Sequence, residues 1–239
     1  MDKALIIIPT LNEVENINDV IHQVYEVIPN YNILIVEDES TDGTINVIKE
    51  LQNQHSNLFL EVRTNNRGLG KAYIHGFLWA LKRDYEYIIE MDADLSHNPK
   101  DLPRLIQACE QGHDLAIGSR YINNNINVVN WNFKRLMLSY FASKYVKIIT
   151  GIPIFDTTAG FICYRKKVLE TIKLDQIRFT GYAFQIEMKF KAWLYKFKIK
   201  EVPIVFTDRT KGTSKLDNSI ISEAIFGVIK MKIKGLSNK

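Results

Sequence analysis

The sequence predicts an α/β protein, a mainly parallel sheet with helices on both faces. Three observations carry this. Short uninterrupted apolar runs alternate with segments of helical periodicity, the connections between them are short, and several of the apolar runs end on polar clusters. Runs of that kind belong to strands buried on both faces.

Leu5-Ile6-Ile7-Ile8 is the first such strand, stopped by Pro9-Thr10, and Asn12 is expected to cap the helix that follows, in which Ile17, Val20, Ile21 and Val24 recur at helical spacing. Ile33 to Val36 is the second strand. It ends in Glu37-Asp38-Glu39-Ser40-Thr41-Asp42-Gly43-Thr44 and opens a helix through Ile45, Ile48 and Leu51. The unit repeats, with a strand at Leu58 to Val62, a helix at Gly70 to Leu81, a strand at Tyr87 to Met91, a helix at Leu102 to Cys109 and a fifth strand at Asp114 to Ile117. Between the third strand and its helix, Asn65-Asn66-Arg67-Gly68-Leu69-Gly70-Lys71 offers backbone amides to an anion at a helix N-terminus, without the spacing of a dinucleotide or Walker loop. After the fifth strand come Gly118-Ser119-Arg120-Tyr121, a long Asn-rich loop expected to lack regular structure, and an amphipathic helix carrying Lys134, Arg135, Ser139 and Lys144. A cationic loop, Asp208 to Lys215, precedes a last basic amphipathic helix at about 217–234, so that residues 1–239 read as one domain.

In such sheets ligands sit beyond the carboxyl ends of the strands. Three ends carry polar clusters: Pro9-Thr10 with Asn12-Glu13, Glu37-Asp38, and Met91-Asp92-Ala93-Asp94. Alternation in an extended chain puts Asp92 and Asp94 on one side. Like charges so close repel unless a cation lies between them, and a hard divalent ion held by two carboxylates completes its shell with waters and substrate phosphates. A metal-diphosphate site follows; a solvated acidic turn is the plain alternative. Asp38 reads either as a helix cap or as an acceptor of nucleotide hydrogen bonds.

Composition excludes other classes. The chain has 239 residues, 46% hydrophobic and 24% charged, as in globular proteins. From Lys189 onward twelve Lys and Arg face four Asp and Glu, whereas the first 188 residues carry 19 against 23. The last fifth thus favours an anionic partner. The excess of Lys lies beside an apolar helical stripe rather than among stacking aromatics, which argues against nucleic acid. Cys109 and Cys163 read as buried thiols in a reducing cytoplasm. No apolar run reaches the roughly 18 residues of a membrane span, so the expected location is the cytoplasm, peripheral to the membrane face.

Six motifs occur in order: Ile8-Pro9-Thr10-Leu11-Asn12-Glu13, the Glu37-to-Thr44 turn, Arg67-Gly68-Leu69-Gly70 with Gly76, Met91-to-Pro99, Gly118-Ser119-Arg120-Tyr121, and Asp156-x-Thr158-x-Gly160-Phe161. Together they resemble the dolichol-phosphate mannosyltransferases, or polyprenol-monophosphomannose synthases, of glycosyltransferase family 2. The resemblance implies a GT-A fold and transfer of mannose from GDP-mannose to a polyprenyl phosphate with inversion at the anomeric carbon. It implies that Pro9, Glu13, Asp38 and Asp92 bind the nucleotide and that Asp92 and Asp94 carry Mg²⁺ or Mn²⁺. It assigns Asp94 and Arg120 to catalysis, and Arg120, Arg135, Ser139, Arg209 and Lys215 to the donor and acceptor phosphates. Ser96 stands where some members place a Gln metal ligand. Because a phosphate acceptor is already a nucleophile, Glu187 is expected to position rather than to act as base. A related transferase using UDP-glucose or a glycan acceptor, an aspartyl-phosphate hydrolase and a silent nucleotide-binding scaffold are the rival readings.

Overall fold

The computed structural model describes residues 3–64, 67–122, 125–181, 183–209 and 227–233. The first half follows the repeating unit: β1 (Ala4–Thr10), α1 (Ile17–Val27), β2 (Asn32–Glu37), α2 (Thr44–Gln52), β3 (Leu58–Val62), α3 (Leu69–Leu81), β4 (Tyr87–Glu90), α4 (Leu102–Glu110) and β5 (Leu115–Ser119). Strand alternation then divides the apolar side chains between two layers. Leu5 and Ile7 of β1 face a core built with α3, while Ile6 and Ile8 face one built with α1 and α4. Helix α3 comes so close to β1 that a Cβ on Gly76 would lie 2.7 Å from Ile7 Cγ2, which is why that helical position has no side chain.

The second half departs from simple alternation. The Asn-rich loop expected to be structureless contains a hairpin of β6 (Tyr121–Ile122) and β7 (Asn125–Ile126), then β8 (Val128–Val129). Next come α5 (Phe133–Thr150), β9 (Ile162–Arg165), α6 (Lys166–Thr171), α7 (Ala183–Leu194), β10 (Ile199–Pro203) and β11 (Phe206–Thr207). The seven-stranded sheet runs β10-β5-β9-β4-β1-β2-β3. All its pairings are parallel except those of β9, which runs antiparallel to both β4 and β5. An antiparallel strand between two parallel ones brings the loop before it to the carboxyl rim of its neighbours. The 156–161 loop therefore sits where β4 and β5 end.

Two local expectations are corrected. Asn12 does not cap α1, whose N-cap is Asn16. Its backbone is left-handed, with φ of 53°, and its Oδ1 accepts from Thr41 N at 2.9 Å, so it ties the β1 loop to the β2 loop. Strand β4 ends at Glu90, one residue early, so the acidic pair lies in a turn that Leu95 closes with φ of 61°. Of the expected C-terminal helix only residues 227–233 are described, and they are helical. There Val228 and Met231 are buried, and Lys232 Nζ donates to Thr150 O at the end of α5, so core packing accounts for part of the apolar stripe. Among the described residues no helix is long and apolar enough to cross a membrane.

Candidate active site

Because β4, β1 and β2 are parallel neighbours, Asp92, the Pro9-to-Glu13 segment and Asp38 line one rim in that order. Asp38 is buried, and its carboxylate is held on both oxygens: Arg63 Nε lies 3.0 Å from Oδ1, and Gly68 N donates to Oδ2 at 3.0 Å. The anion received by the glycine loop in this structure is thus Asp38 itself. Gly68 alone supports this geometry because its φ is 136°. Glu13 accepts from Asn16 Nδ2 at 2.9 Å, and its backbone N–H donates to Thr44 Oγ1, so the first two loops are pinned together.

The acidic turn holds its two carboxylates differently. Asp92 accepts from the hydroxyl of Tyr73 on α3 at 3.2 Å, and its backbone N–H donates to His97 Nδ1 at 3.2 Å. His97 is buried, stacked on Phe161 at 4.8 Å, so β9 braces the turn. Asp94 accepts from Ser96 N and pairs with Arg209, whose Nη2 is 2.7 Å from Oδ2. Enclosure by protein raises the Asp92 carboxyl above its ordinary range; His97 opposes this, and the charge of Asp94 adds to it. With its side chain still 36% exposed, Asp92 owes less to burial than a sealed group would, and repulsion within the pair gains weight.

A divalent ion suits this arrangement. Among the described residues no group of three or more His, Cys, Asp or Glu could hold a metal, and Ser96 is buried with its hydroxyl unpartnered. The donor set is two carboxylates, which is the case in which phosphates and water complete the shell of a hard cation. Arg209 also brings positive charge to Asp94.

Arg120 follows β5 and is buried. Its backbone N and Nε donate to Asp156 Oδ2 at 2.9 and 2.7 Å, and Nη2 donates to Asp156 Oδ1 at 2.6 Å and to Thr158 Oγ1 at 2.8 Å. Burial works against this guanidinium, but Asp156 holds its pKa above the ordinary arginine value. The same pairing outweighs burial at Asp156 and holds its carboxyl below the usual range. Trp131 and Phe206 lie beside the guanidinium, with ring centroids 5.5 Å from Cζ.

Strand β11 is the strap that brings the remaining cations in. It pairs with β8, and Thr207 N reaches Ser96 O at 3.4 Å. Arg135 Nη1 meets Asp208 Oδ1 at 2.7 Å and stacks over Trp131. Ser139 lies one turn further along α5. The rim thus gathers Asp92, Asp94 and Arg209 in one cluster, Arg120 with Asp156 and Thr158 beside it, and Arg135 bonded to Asp208, the residue before Arg209. Lys215 lies outside the described residues. Glu187 is buried and accepts from the backbone N–H groups of Arg178 and Phe179.

The motifs did not single out Lys189. Lys189 is fully buried on α7.

Residues 5–173 match the model of Glycosyl transferase family 2. The chain is 44% identical over 234 residues to the polyprenol monophosphomannose synthase of Mycolicibacterium smegmatis, covering 98% of this chain and 88% of that one. It is 40% identical over 228 residues to the undecaprenyl-phosphate mannosyltransferase of Micrococcus luteus, covering 95% and 93%. Among solved structures, glucosyl-3-phosphoglycerate synthase from Mycobacterium tuberculosis, in complex with Mn²⁺, UDP and phosphoglyceric acid, superposes with a TM-score of 0.68 over 98% of this chain and 78% of that one. Its 15% identity speaks for the fold alone, and with it the expected GT-A type architecture is borne out. By sequence, motif order and architecture, the chain belongs to glycosyl transferase family 2.

Proposed function

We propose that this chain transfers mannose from GDP-mannose to a polyprenyl phosphate, with inversion at the anomeric carbon. The observation that carries this reading is the near-full-length identity to two transferases named for mannosyl and polyprenyl substrates. Asp92 and Asp94 would hold Mg²⁺ or Mn²⁺, which supplies positive charge against the diphosphate leaving group. Asp38, Pro9 and Glu13 would hold the nucleotide.

In this reaction an oxygen of the acceptor phosphate attacks the anomeric carbon, the bond from that carbon to the diphosphate oxygen breaks, and GDP leaves with the electron pair. The protein needs no strong base, since the acceptor is ionised. Its work is electrostatic. Arg120, fixed by Asp156 and Thr158, is a preorganised cation at the rim, and such a group typically contributes about 10²–10³ in rate. Arg209 exchanges Asp94 for substrate phosphate, and along α5 Arg135 adds a further cation and Ser139 a hydroxyl donor. Lys215 belongs to the same proposed phosphate cradle.

The acceptor would arrive from a lipid surface met by α5. Phe133 is 74% exposed, Phe141 58% and Ile148 78%, at spacings that place them on one face with Lys144 beside them. The test is a panel of labelled sugar nucleotides with a short polyprenyl phosphate and Mg²⁺ or Mn²⁺. Mannosyl-phosphopolyprenol formed from GDP-mannose alone is the expected result. Transfer from UDP-glucose instead, or no transfer with any donor, overturns the reading.

A further inference from the structure

Behind Arg120 lies a charged group that the proposed chemistry does not use. Lys189 is fully buried in α7, and its ammonium donates to three main-chain carbonyls: Ala159 O at 2.6 Å, Gln185 O at 3.0 Å and Thr157 O at 3.1 Å. The carbonyl of Gln185 belongs to its own helix. The other two belong to the 156–160 loop, and they flank Thr158, whose hydroxyl receives Arg120 Nη2. The opposite end of the loop is held by Glu201, whose carboxylate accepts from Phe155 N and Asp156 N, both at 2.9 Å. The loop that grips Arg120 is thus itself gripped, by a cation at one end and an anion at the other.

We propose that Lys189 is a positioning residue, which fixes the Asp156-Thr157-Thr158-Ala159 loop and through it the orientation of the Arg120 guanidinium toward the transferring phosphate. Three features separate this from ordinary core packing. The first is that a buried ammonium is costly, and an apolar side chain of similar length would fill the same space. Burial pulls Lys189 down to about 7, against the attraction of Glu90 and Asp156. The second is that all three of its hydrogen bonds go to backbone, so it reads the path of the loop rather than a neighbouring side chain. The third is its place: carbonyls on either side of Thr158 leave that residue little freedom, and misplacement by about 1 Å of a group that acts through geometry costs about 10²-fold in rate.

The inference rests on the reading of Arg120 as a phosphate contact, so the test has one readout that needs no substrate. In the full chain, Lys189→Met, Arg120→Ala and the double variant are compared with wild type for kcat and for KM of donor and acceptor. Lys189→Met is expected to lower kcat by about 10- to 100-fold, with donor KM within a few-fold, and to add less than about two-fold in the Arg120→Ala background, because both substitutions act through one group. Lys189→Arg, which keeps the charge and donors, should recover part of the loss. Independently of turnover, hydrogen exchange at the Arg120 Nε–H, followed by NMR, should quicken at least ten-fold in Lys189→Met. A rate within two-fold of wild type, losses that multiply in the double variant, or unchanged exchange overturns the proposal. If Lys189→Met does not fold, Lys189→Gln carries the same comparison, and failure of both to fold makes Lys189 a stability element and overturns it too. Wild-type protein that shows slow Arg120 exchange, lost in Lys189→Met, but transfers no mannose would defeat the proposed function and leave the positioning role standing.

Discussion

Replacing Asp156 by Ala tests how this site is held. Asp156 is fully buried, and it accepts from Arg120 N, Nε and Nη2. Removing the carboxylate leaves a buried guanidinium with Thr158 as its remaining neutral partner in that group of bonds. Breaking a buried ion pair on one side costs about 3–5 kcal/mol, because the other charge stays desolvated. With a urea m-value of about 3 kcal/mol/M, the upper end of the small-protein range, the unfolding midpoint should fall by roughly 1–1.7 M. The pH dependence has a definite sign. The folded pKa of Asp156 lies below its ordinary 3.8, so its contribution is complete above that value and is lost as pH falls through the folded pKa. Wild-type and Asp156→Ala midpoints should therefore converge in acid below 3.8. Equilibrium urea unfolding at several pH values, followed by far-UV circular dichroism, measures both. A difference under about 1 kcal/mol at pH 7, or a gap that widens in acid, would refute the reasoning.

Asp92→Asn and Asp94→Asn should each lower transfer by about 10²–10³-fold at saturating metal, read from initial rates with folding checked by circular dichroism. Arg209→Ala should tighten Mn²⁺ binding to the substrate-free protein by up to about ten-fold, since Arg209 now pairs with Asp94 at 2.7 Å and a metal must displace it; unchanged affinity by calorimetry would mean that Asp94 is not a ligand. Gly76→Ala should destabilise by about 1–3 kcal/mol despite the better helix propensity of Ala, because the new methyl would lie 2.7 Å from Ile7 Cγ2. Ile7→Ala should relieve part of this in a double-mutant cycle by urea unfolding. Phe141→Glu with Ile148→Glu should weaken co-sedimentation with anionic vesicles while leaving turnover of a short, water-soluble acceptor near wild type.

The sequence alone determined the strands and helices of the first half, since uninterrupted runs such as Leu5 to Ile8 and periodic stretches such as Ile17 to Val24 report burial directly and locally. It also pointed to the acidic pair, because two carboxylates one residue apart at a strand end have a physical meaning before any fold is known. Its errors were local ones of turn chemistry. Asn12 looked like a cap and instead bridges two loops, and the Asn-rich segment holds short strands whose partners are distant or only two residues long. What tertiary structure decided was convergence. Strand β9 is four residues long, and nothing in Ile162–Arg165 announces that it runs antiparallel between β4 and β5. That pairing carries the 156–160 loop to the rim, where Asp156 meets Arg120 from 36 residues away in the chain and Lys189 meets Ala159 from 30. Such contacts depend on which strands become neighbours, and that choice is made by packing across the whole sheet rather than by any residue's own preference.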